Sequence, residues 1–319
     1  MIPHSRPSIE AEDIRAAVGV LQSRQLAQGG QVEQFERGMA AYFGLPGGVA
    51  VTSGTVALEV ALRAMGIGSG DEVILPSYVC AAPLLAIQRV GAIPRVVDID
   101  LASFNMDPTA AQEVRTSRTK ALIVPHLFGL PADLTALERL GIPIIEDCAQ
   151  TLGAIEQGRP VGSIGHVTIC SFYATKVLCA GEGGMLLSRD ETLLEKARRL
   201  REYDETPSLY PSATNVKMTD LQAAIGLAQL GRLAAFIERR SSLAEEYRAR
   251  LSGAALVQPI VPAGRTHTYY RFVVRLPNCA GATDGLSEVI ARFEARGVHC
   301  RKPVFRSLHR YLDLDGFPS

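Results

Sequence analysis

The sequence of 319 residues predicts an α/β fold, a mostly parallel central sheet with helices on both faces and a smaller α/β domain behind it. Three observations lead there. Short β-branched runs alternate with longer stretches of helical periodicity, the rhythm of strand–helix–strand crossovers. Several of those runs are apolar throughout, as in strands covered on both sides. After residue 215 the rhythm gives way to a long stretch rich in Ala, Leu, Glu and Arg.

Taken in order, strands are expected at residues 73–75, 95–97, 121–124, 142–145, 167–172 and 184–188, with helices at 55–65, 81–90, 134–140 and 193–203 between them. Thr219-Asp220 reads as a helix start, and 221–251 as one long or broken helix. A Pro/Gly-marked stretch at 259–264, a strand at 270–276 and a helix at 286–296 follow. The change of pattern puts a domain boundary near residues 230–255, giving a large domain over 1–235 and a small one over 236–319.

Composition narrows the function classes. Lys+Arg and Asp+Glu are both 33, so the formal net charge is zero and no broad attraction to nucleic acid or an anionic membrane is expected. The chain has no Trp and only 6% aromatic residues, which argues against a stacking platform for single strands. The longest uncharged apolar stretch, residues 73–88, contains two prolines and falls short of the roughly 20 residues a membrane span needs. The opening residues lack the apolar core of a signal peptide. Cys80, Cys148, Cys170, Cys179, Cys279 and Cys300 show no metal-ligand spacing, and most lie in apolar runs, as buried free thiols of a reducing compartment do. No metal is expected, and the protein is read as cytoplasmic.

Three segments carry chemistry. In Ser171-Phe-Tyr-Ala-Thr-Lys176, followed by the glycine-rich turn to Gly184, a lysine ends an apolar strand. Only five lysines occur in the chain, so one in this setting calls for a reason. Desolvation frees an amine to act as nucleophile or Schiff-base former; a lysine snorkelling at a strand end is the plain alternative. Asp147, in Ile142-Pro-Ile-Ile-Glu-Asp147, closes a buried strand where α/β sheets bind ligands. It could hold a protonated ring nitrogen or cap the next helix. Ser53-Gly54-Thr55 turns from a strand-like run into a helix, and is either a phosphate cradle or an ordinary N-cap. Gly66-Ile-Gly-Ser-Gly70 lacks the spacing of a dinucleotide loop and reads as a helix end. Cradle, ring-nitrogen acid and Schiff-base lysine, in that order on an α/β sheet, form the set that pyridoxal 5′-phosphate (PLP) needs.

These segments resemble the DegT/DnrJ/EryC1/StrS family of sugar aminotransferases, of fold type I. The matching stretches include Ser53 to Leu58, Gly70 to Ser77, Glu146 to Gln150, Val161 to Gly165, Ser171 to Gly184 and Asn215 to Ala224, and likeness extends from Ile2 to beyond Phe305. The resemblance implies that Lys176 binds the cofactor covalently and then moves a proton between Cα and C4′. Asp147 would keep the pyridine nitrogen protonated, and Gln150 would lie near the phenolic oxygen. Gly54, Thr55 and Ser171 would hold the phosphate, Asn215 would reach the phosphate of a partner subunit in a homodimer, and His309 would lie near the sugar nucleotide. His126 either packs at the site or is a core histidine. Cys80 stands where the family stacks an aromatic ring on the cofactor, with Tyr78 the other candidate. Family members continue some tens of residues past the segment around His309, so the small domain is expected to lack its last elements.

The implied activity is transfer of an amino group from an amino acid, glutamate, to a keto group on a nucleotide-linked sugar or cyclitol. Lys176 argues against the family's dehydratase branch, which carries His there. A non-catalytic PLP or sugar-nucleotide binding protein stays open as the alternative. A nucleotide-dependent oxidoreductase is disfavoured by the lack of a G-x-G-x-x-G loop.

Overall fold

A computed structural model describes residues 1–203, 212–277 and 283–312. Its strands are β1 (Gly47–Val51), β2 (Glu72–Pro76), β3 (Ile93–Val97), β4 (Thr119–Pro125), β5 (Ile144–Asp147), β6 (Ile155–Glu156), β7 (Arg159–Pro160), β8 (Val167–Ser171) and β9 (Gly184–Ser188). Seven of them form one sheet in the order β1-β9-β8-β5-β4-β2-β3, and β6-β7 is a separate short hairpin. β3, β2, β4, β5 and β8 pair in parallel. β9 is antiparallel to both β8 and β1. The carboxyl ends of every sheet strand except β9 therefore share one edge, and that edge positions the site.

The described residues form ten α-helices: α1 (Ala11–Ser23), α2 (Gly30–Phe43), α3 (Gly54–Ala64), α4 (Ala82–Arg89), α5 (Pro108–Glu113), α6 (Leu134–Glu138), α7 (Glu191–Arg201), α8 (Asp220–Gly231), α9 (Leu233–Arg250) and α10 (Thr283–Glu294). Alternation along the strands sends side chains to two cores. Val49 and Val51 of β1 face α3, α4 and α7 in a cluster with Leu58, Leu62, Ile87 and Leu194. Ala50 between them joins Phe35, Met39 and Phe172 on the other face, which α2 and α8 cover. Further along that face, Ile74, Leu122 and Val124 pack against Leu134 and Leu137 of α6. Both faces are dry, which is why the strands read as unbroken apolar runs.

Apart from the strand at 270–276, the expected strands and helices are present, with β5 displaced two residues toward Asp147. Gly66 and Gly70 have positive φ (75° and 88°), as a helix end and turn require. The long helix breaks at Arg232, whose guanidinium leaves the axis to pair with the buried Asp13 of α1. The domain boundary expected at 235/236 falls in the first turn of α9. The strand expected at 270–276 does not form. Instead Thr268 N–H donates to Gly129 O (2.9 Å) and Arg271 N–H to Phe128 O (3.1 Å), so this backbone is bonded to the loop after β4. Only Val257 and Arg275 meet as an isolated bridge. α1 and α2 are not among the expected elements; on α1 Ile14, Val18 and Leu21 are exposed, while Asp13 and Val20 are buried. Among the cysteines, Cys148, Cys170 and Cys179 are buried, Cys300 is half-buried and Cys80 is exposed. Cys279 and the chain end beyond residue 312 lie outside the described residues.

Asp220 joins α8 to α2. It is buried, and its Oδ1 accepts from Gly29 N–H (2.8 Å) and Val32 N–H (3.0 Å), two otherwise unmet donors at the start of α2. A Cβ at residue 29 would lie 2.9 Å from Asp220 Oδ2, so glycine is needed there. Asp220→Ala is expected to lower unfolding free energy by about 1–2 kcal/mol, the worth of a lost cap, measured by urea denaturation.

Candidate functional site

β1 leads into Ser53, which caps α3 by accepting Val56 N–H at 3.3 Å. Ala57 N–H goes to Ser53 O at 2.9 Å. Among the described residues nothing accepts from the N–H groups of Gly54 and Thr55, so two donors and the positive end of α3 face outward. The chain here presses against two other strands. A Cβ on Gly54 would sit 2.8 Å from Ser171 Cβ, and one on Gly184 would sit 2.3 Å from the Ser53 carbonyl. The glycines thus let the end of β8 close on the start of α3, placing the Ser171 hydroxyl beside the free N–H groups.

Asp147 ends β5, the strand next to β8, in register with Ile169. Its carboxylate is buried, and Oδ1 accepts Ala149 N–H at 3.0 Å. Among the described residues no hydrogen bond reaches Oδ2. Burial pushes the carboxyl above its usual range, opposed by the Ala149 N–H and by the charge of Lys176. An acid in this condition calls for a cationic donor.

Lys176 lies on the turn after β8, where its N–H donates to Tyr173 O at 2.8 Å. It is half-buried, and its Nζ stands 5.3 Å from the centre of the Tyr270 ring. No carboxylate of the described residues pairs with it, although its charge acts on both Asp147 and Cys80. Cys80 is open to solvent yet surrounded by protein, as a residue on a cleft wall is. Burial in the first place, and Asp147 in the second, raise its thiol pKa.

Gln150 Oε1 accepts Phe128 N–H at 2.9 Å. A backbone N–H can only donate, so the amide orientation is fixed and the Nε2 end is left to donate. Phe128 is held at φ 61°, a strain of roughly 1–3 kcal/mol for a non-glycine residue. Its N–H is fixed by Gln150 and its carbonyl by Arg271 N–H. Phe128 and Tyr270 are absent from the sequence expectations. Neither lies in a local motif, and both are defined by contacts across the chain.

The remaining residues are placed differently. His126 is fully buried: Nδ1 accepts Ala132 N–H (3.0 Å) and Nε2 faces Glu146 Oε2 (3.2 Å), so it is a satisfied core histidine with its proton on Nε2. His126, Glu146 and Cys148 lie close enough to hold an ion. The Glu146 oxygens are instead taken by the N–H groups of Gly162 (2.7 Å), Ile164 (2.8 Å) and Gly165 (2.5 Å). Burial alone would raise that carboxyl, but His126 and these donors hold it below its usual range. His309 Nδ1 is 2.6 Å from Ser77 Oγ, which ties the residue to the loop after β2 and leaves Nε2 outward. Asn215 is exposed and, among the described residues, its one hydrogen bond is accepted from Lys217 N–H (3.5 Å), none being made to Gly54, Thr55 or Ser171. Val216 O accepts Thr52 N–H, so this segment runs beside the end of β1.

The site residues form two groups, Gly54–Thr55–Ser171 and Asp147–Gln150–Cys80–Lys176. One offers oxyanion donors. The other offers a lone acid acceptor, an amide donor and an unpaired amine. This donor set fits a phosphorylated pyridine aldehyde, with phosphate at the first group and ring nitrogen at Asp147.

His267, near Tyr270, is buried, stacked on Tyr269 (4.1 Å), and accepts Tyr269 N–H at Nδ1 (2.9 Å). Burial, with Arg248 second, brings its pKa down to about 4. The folded value lies below the unfolded one, so only the unfolded chain takes up the proton as pH falls from about 6.5 to 4, and stability falls with it. His267→Phe is expected to flatten this dependence, by up to about 3 kcal/mol across the window. Denaturation midpoints measured between pH 7 and 4.5 check it.

The family model of the DegT/DnrJ/EryC1/StrS aminotransferase family matches residues 7–312. The chain is 36% identical over 288 residues to a GDP-perosamine synthase of Caulobacter vibrioides, covering 87% of this chain and 77% of that protein. It is 37% identical over 298 residues to a dTDP-3-amino-3,4,6-trideoxy-alpha-D-glucose transaminase of Streptomyces venezuelae, covering 91% and 77%. The solved PLP-form of Spr1654 from Streptococcus pneumoniae superposes with a TM-score of 0.91 at 27% identity, over 98% of this chain and 88% of that one.

Proposed function

The chain belongs to the DegT/DnrJ/EryC1/StrS aminotransferase family, and on that premise we propose a PLP-dependent transfer of an amino group from glutamate to the keto group of a nucleotide-linked sugar. The observation that carries this reading is the pairing of a buried, half-satisfied Asp147 with an unpaired Lys176 beside the Gly54–Ser171 contact. Sugar aminotransferases named among the relatives support the acceptor class.

PLP, when bound, supplies the electron sink that allows amine and ketone to be exchanged. The protein's residues do the rest. Gly54 and Thr55 N–H and the Ser171 hydroxyl would bind the phosphate. Asp147 Oδ2 would accept from the ring nitrogen and hold its proton there. Gln150 Nε2 would donate to the phenolic oxygen, and Cys80 would pack on the ring face. Lys176 Nζ would hold the aldehyde carbon, its oxygen leaving as water, and once released would carry a proton between Cα of the amino donor and C4′. His309 Nε2 faces the sugar nucleotide. We place the junction between a large and a small domain at the α8–α9 break, near the 235/236 boundary.

A homodimer belongs to the same proposal. Among the described residues Asn215 meets only Lys217 N–H, and the stripe of Ile14, Val18 and Leu21 on α1 is apolar, exposed and one helix face wide. A second copy would cover this stripe and receive Asn215 at its phosphate. No helix of the described residues is long and apolar enough to cross a membrane. The buried free thiols support a reducing compartment, which we take to be the cytoplasm.

Borohydride reduction of the purified protein followed by peptide mapping is expected to place the cofactor adduct on Lys176. An adduct on another lysine would contradict the assignment. Asp147→Asn should slow the glutamate half-reaction on the order of 100-fold or more, since an amide cannot keep the ring nitrogen protonated. Stopped-flow spectra measure it, and a near-normal rate would leave Asp147 as a cap. Mixing Lys176→Ala chains with chains disabled at Asn215 should restore activity, because each mixed dimer then has one site without either defect. Verified mixed dimers with no recovery would show that Asn215 serves its own subunit or that sites are not shared.

A further inference from the structure

Cations from four separate segments surround the Tyr270 ring and its neighbours. Lys176 Nζ lies 5.3 Å from the ring centre and Arg271 Cζ 4.3 Å. The Tyr270 hydroxyl is 3.3 Å from Thr175 Oγ1 and accepts from Arg271 Nη2 at 3.4 Å, so Arg271 is reached from Lys176 through one side chain. Arg240 of α9 donates Nη1 to the carbonyls of Tyr269 and Tyr270, both at 3.2 Å. His4 lies near Arg271, Arg301 and His299 electrostatically, and the arm that carries it is bonded to the segment after α10 through Ile2 and His299. The cluster is mutually repulsive: after burial, Arg271 is what depresses the Arg240 pKa, and Arg271, Arg301 and His299 depress that of His4.

Lys176, Arg240, Arg271 and Arg301 take part in none of the ion pairs of the described residues. Elsewhere in this neutral chain, buried or half-buried arginines such as Arg201, Arg232 and Arg265 do find a carboxylate. Like charges held together without an anion are unfavourable unless a ligand supplies one. Arg271 is half-buried, and among the described residues its guanidinium bonds only to the carbonyl and hydroxyl of Tyr270, at 3.3 and 3.4 Å. Those contacts orient a planar fork suited to an oxyanion. The cofactor phosphate has its own cradle on the start of α3, so this charge is left for the substrate.

We propose that Arg271, backed by Tyr270 and Arg240, is the anion anchor of the substrate site, holding an oxyanion of the molecule that reacts at Lys176. The inference rests on the transaminase reading for its substrates, and two of their groups share the required chemistry: a carboxylate of the amino donor and the diphosphate of the nucleotide. Tyr270 acts as a positioning residue, fixing Arg271 at a set distance from Lys176.

The test uses the PLP-loaded full-length protein, with glutarate and inorganic pyrophosphate as probes in isothermal titration. At least one probe is expected to bind the wild type, and Arg271→Gln should weaken it about 10- to 100-fold, the size of a lost charged hydrogen-bond pair. The cofactor spectrum and circular dichroism should be retained. Loss confined to glutarate identifies the donor carboxylate, and loss confined to pyrophosphate identifies the nucleotide. The matching half-reaction should then lose kcat/KM by the same factor through KM. If R271Q does not fold, Arg271→Lys carries the test, since losing the fork should still weaken the probe about tenfold. Binding unchanged in the variant, or no binding of either probe to the wild type, overturns the proposal. A wild type that transfers no amino group while R271Q still loses the probe would overturn the transaminase reading and leave the anchor standing.

Discussion

A carboxylate removed from water with one oxygen unmet is destabilising, and Asp147 is kept in that state by the rest of the sheet. Burial raises its pKa, and a single backbone N–H is its only hydrogen-bond donor among the described residues. Its neighbour Glu146 shows what the alternative looks like. Adjacent residues on β5 point to opposite faces. Glu146 is met by three backbone N–H groups and by His126, and its pKa is lowered. The same strand thus places a structural anion in the core and an unsatisfied one on the site edge. The first fixes the loop from Gly162 to Gly165; the second is available for a cationic ligand.

Parallel topology gives that acid its surroundings. The ends of β1, β8, β5 and β2 deliver the Ser53–Thr55 turn, Ser171, Asp147 and Cys80 to one edge, and the antiparallel β9 fits beside them only because residue 184 has no side chain. The strained Phe128 and the segment 268–271 close the far side. Phe128 is clamped between Gln150, three residues after Asp147, and Arg271, which belongs to the chain after α9. One backbone unit therefore joins the loop after β5 to the segment after α9, and its strain persists because both neighbours hold it.

What was legible in the sequence was what is local. Lys176, Asp147 and the Ser53–Thr55 turn sit at strand ends, where apolar runs stop and the chemistry begins. The parallel sheet was legible because strands buried on both faces cannot alternate. What stayed hidden depends on distant partners. His126 was ambiguous until Ala132 N–H and Glu146 fixed its tautomer. Residues 270–276 have a strand's composition, but the backbone of Thr268 and Arg271 is bonded to Gly129 and Phe128. The pairing of Tyr270 with Lys176 spans nearly a hundred residues and leaves no local pattern. α1 and α2 were not read from the sequence, and nothing in the local pattern tells that the Ile14, Val18 and Leu21 stripe of α1 is exposed while the apolar residues of α2 are buried. Asn215 is likewise exposed, with one hydrogen bond, from Lys217 N–H, among the described residues.

The central claim is that Asp147 exists to hold a proton on a ring nitrogen. The most direct measurement is the 15N chemical shift of PLP, labelled at the pyridine nitrogen and bound to the wild-type protein, followed from pH 6 to 9. The account predicts a protonated nitrogen throughout, well above the range in which the free cofactor loses its proton. A ring nitrogen that is unprotonated at neutral pH, with the cofactor fully bound, would contradict it.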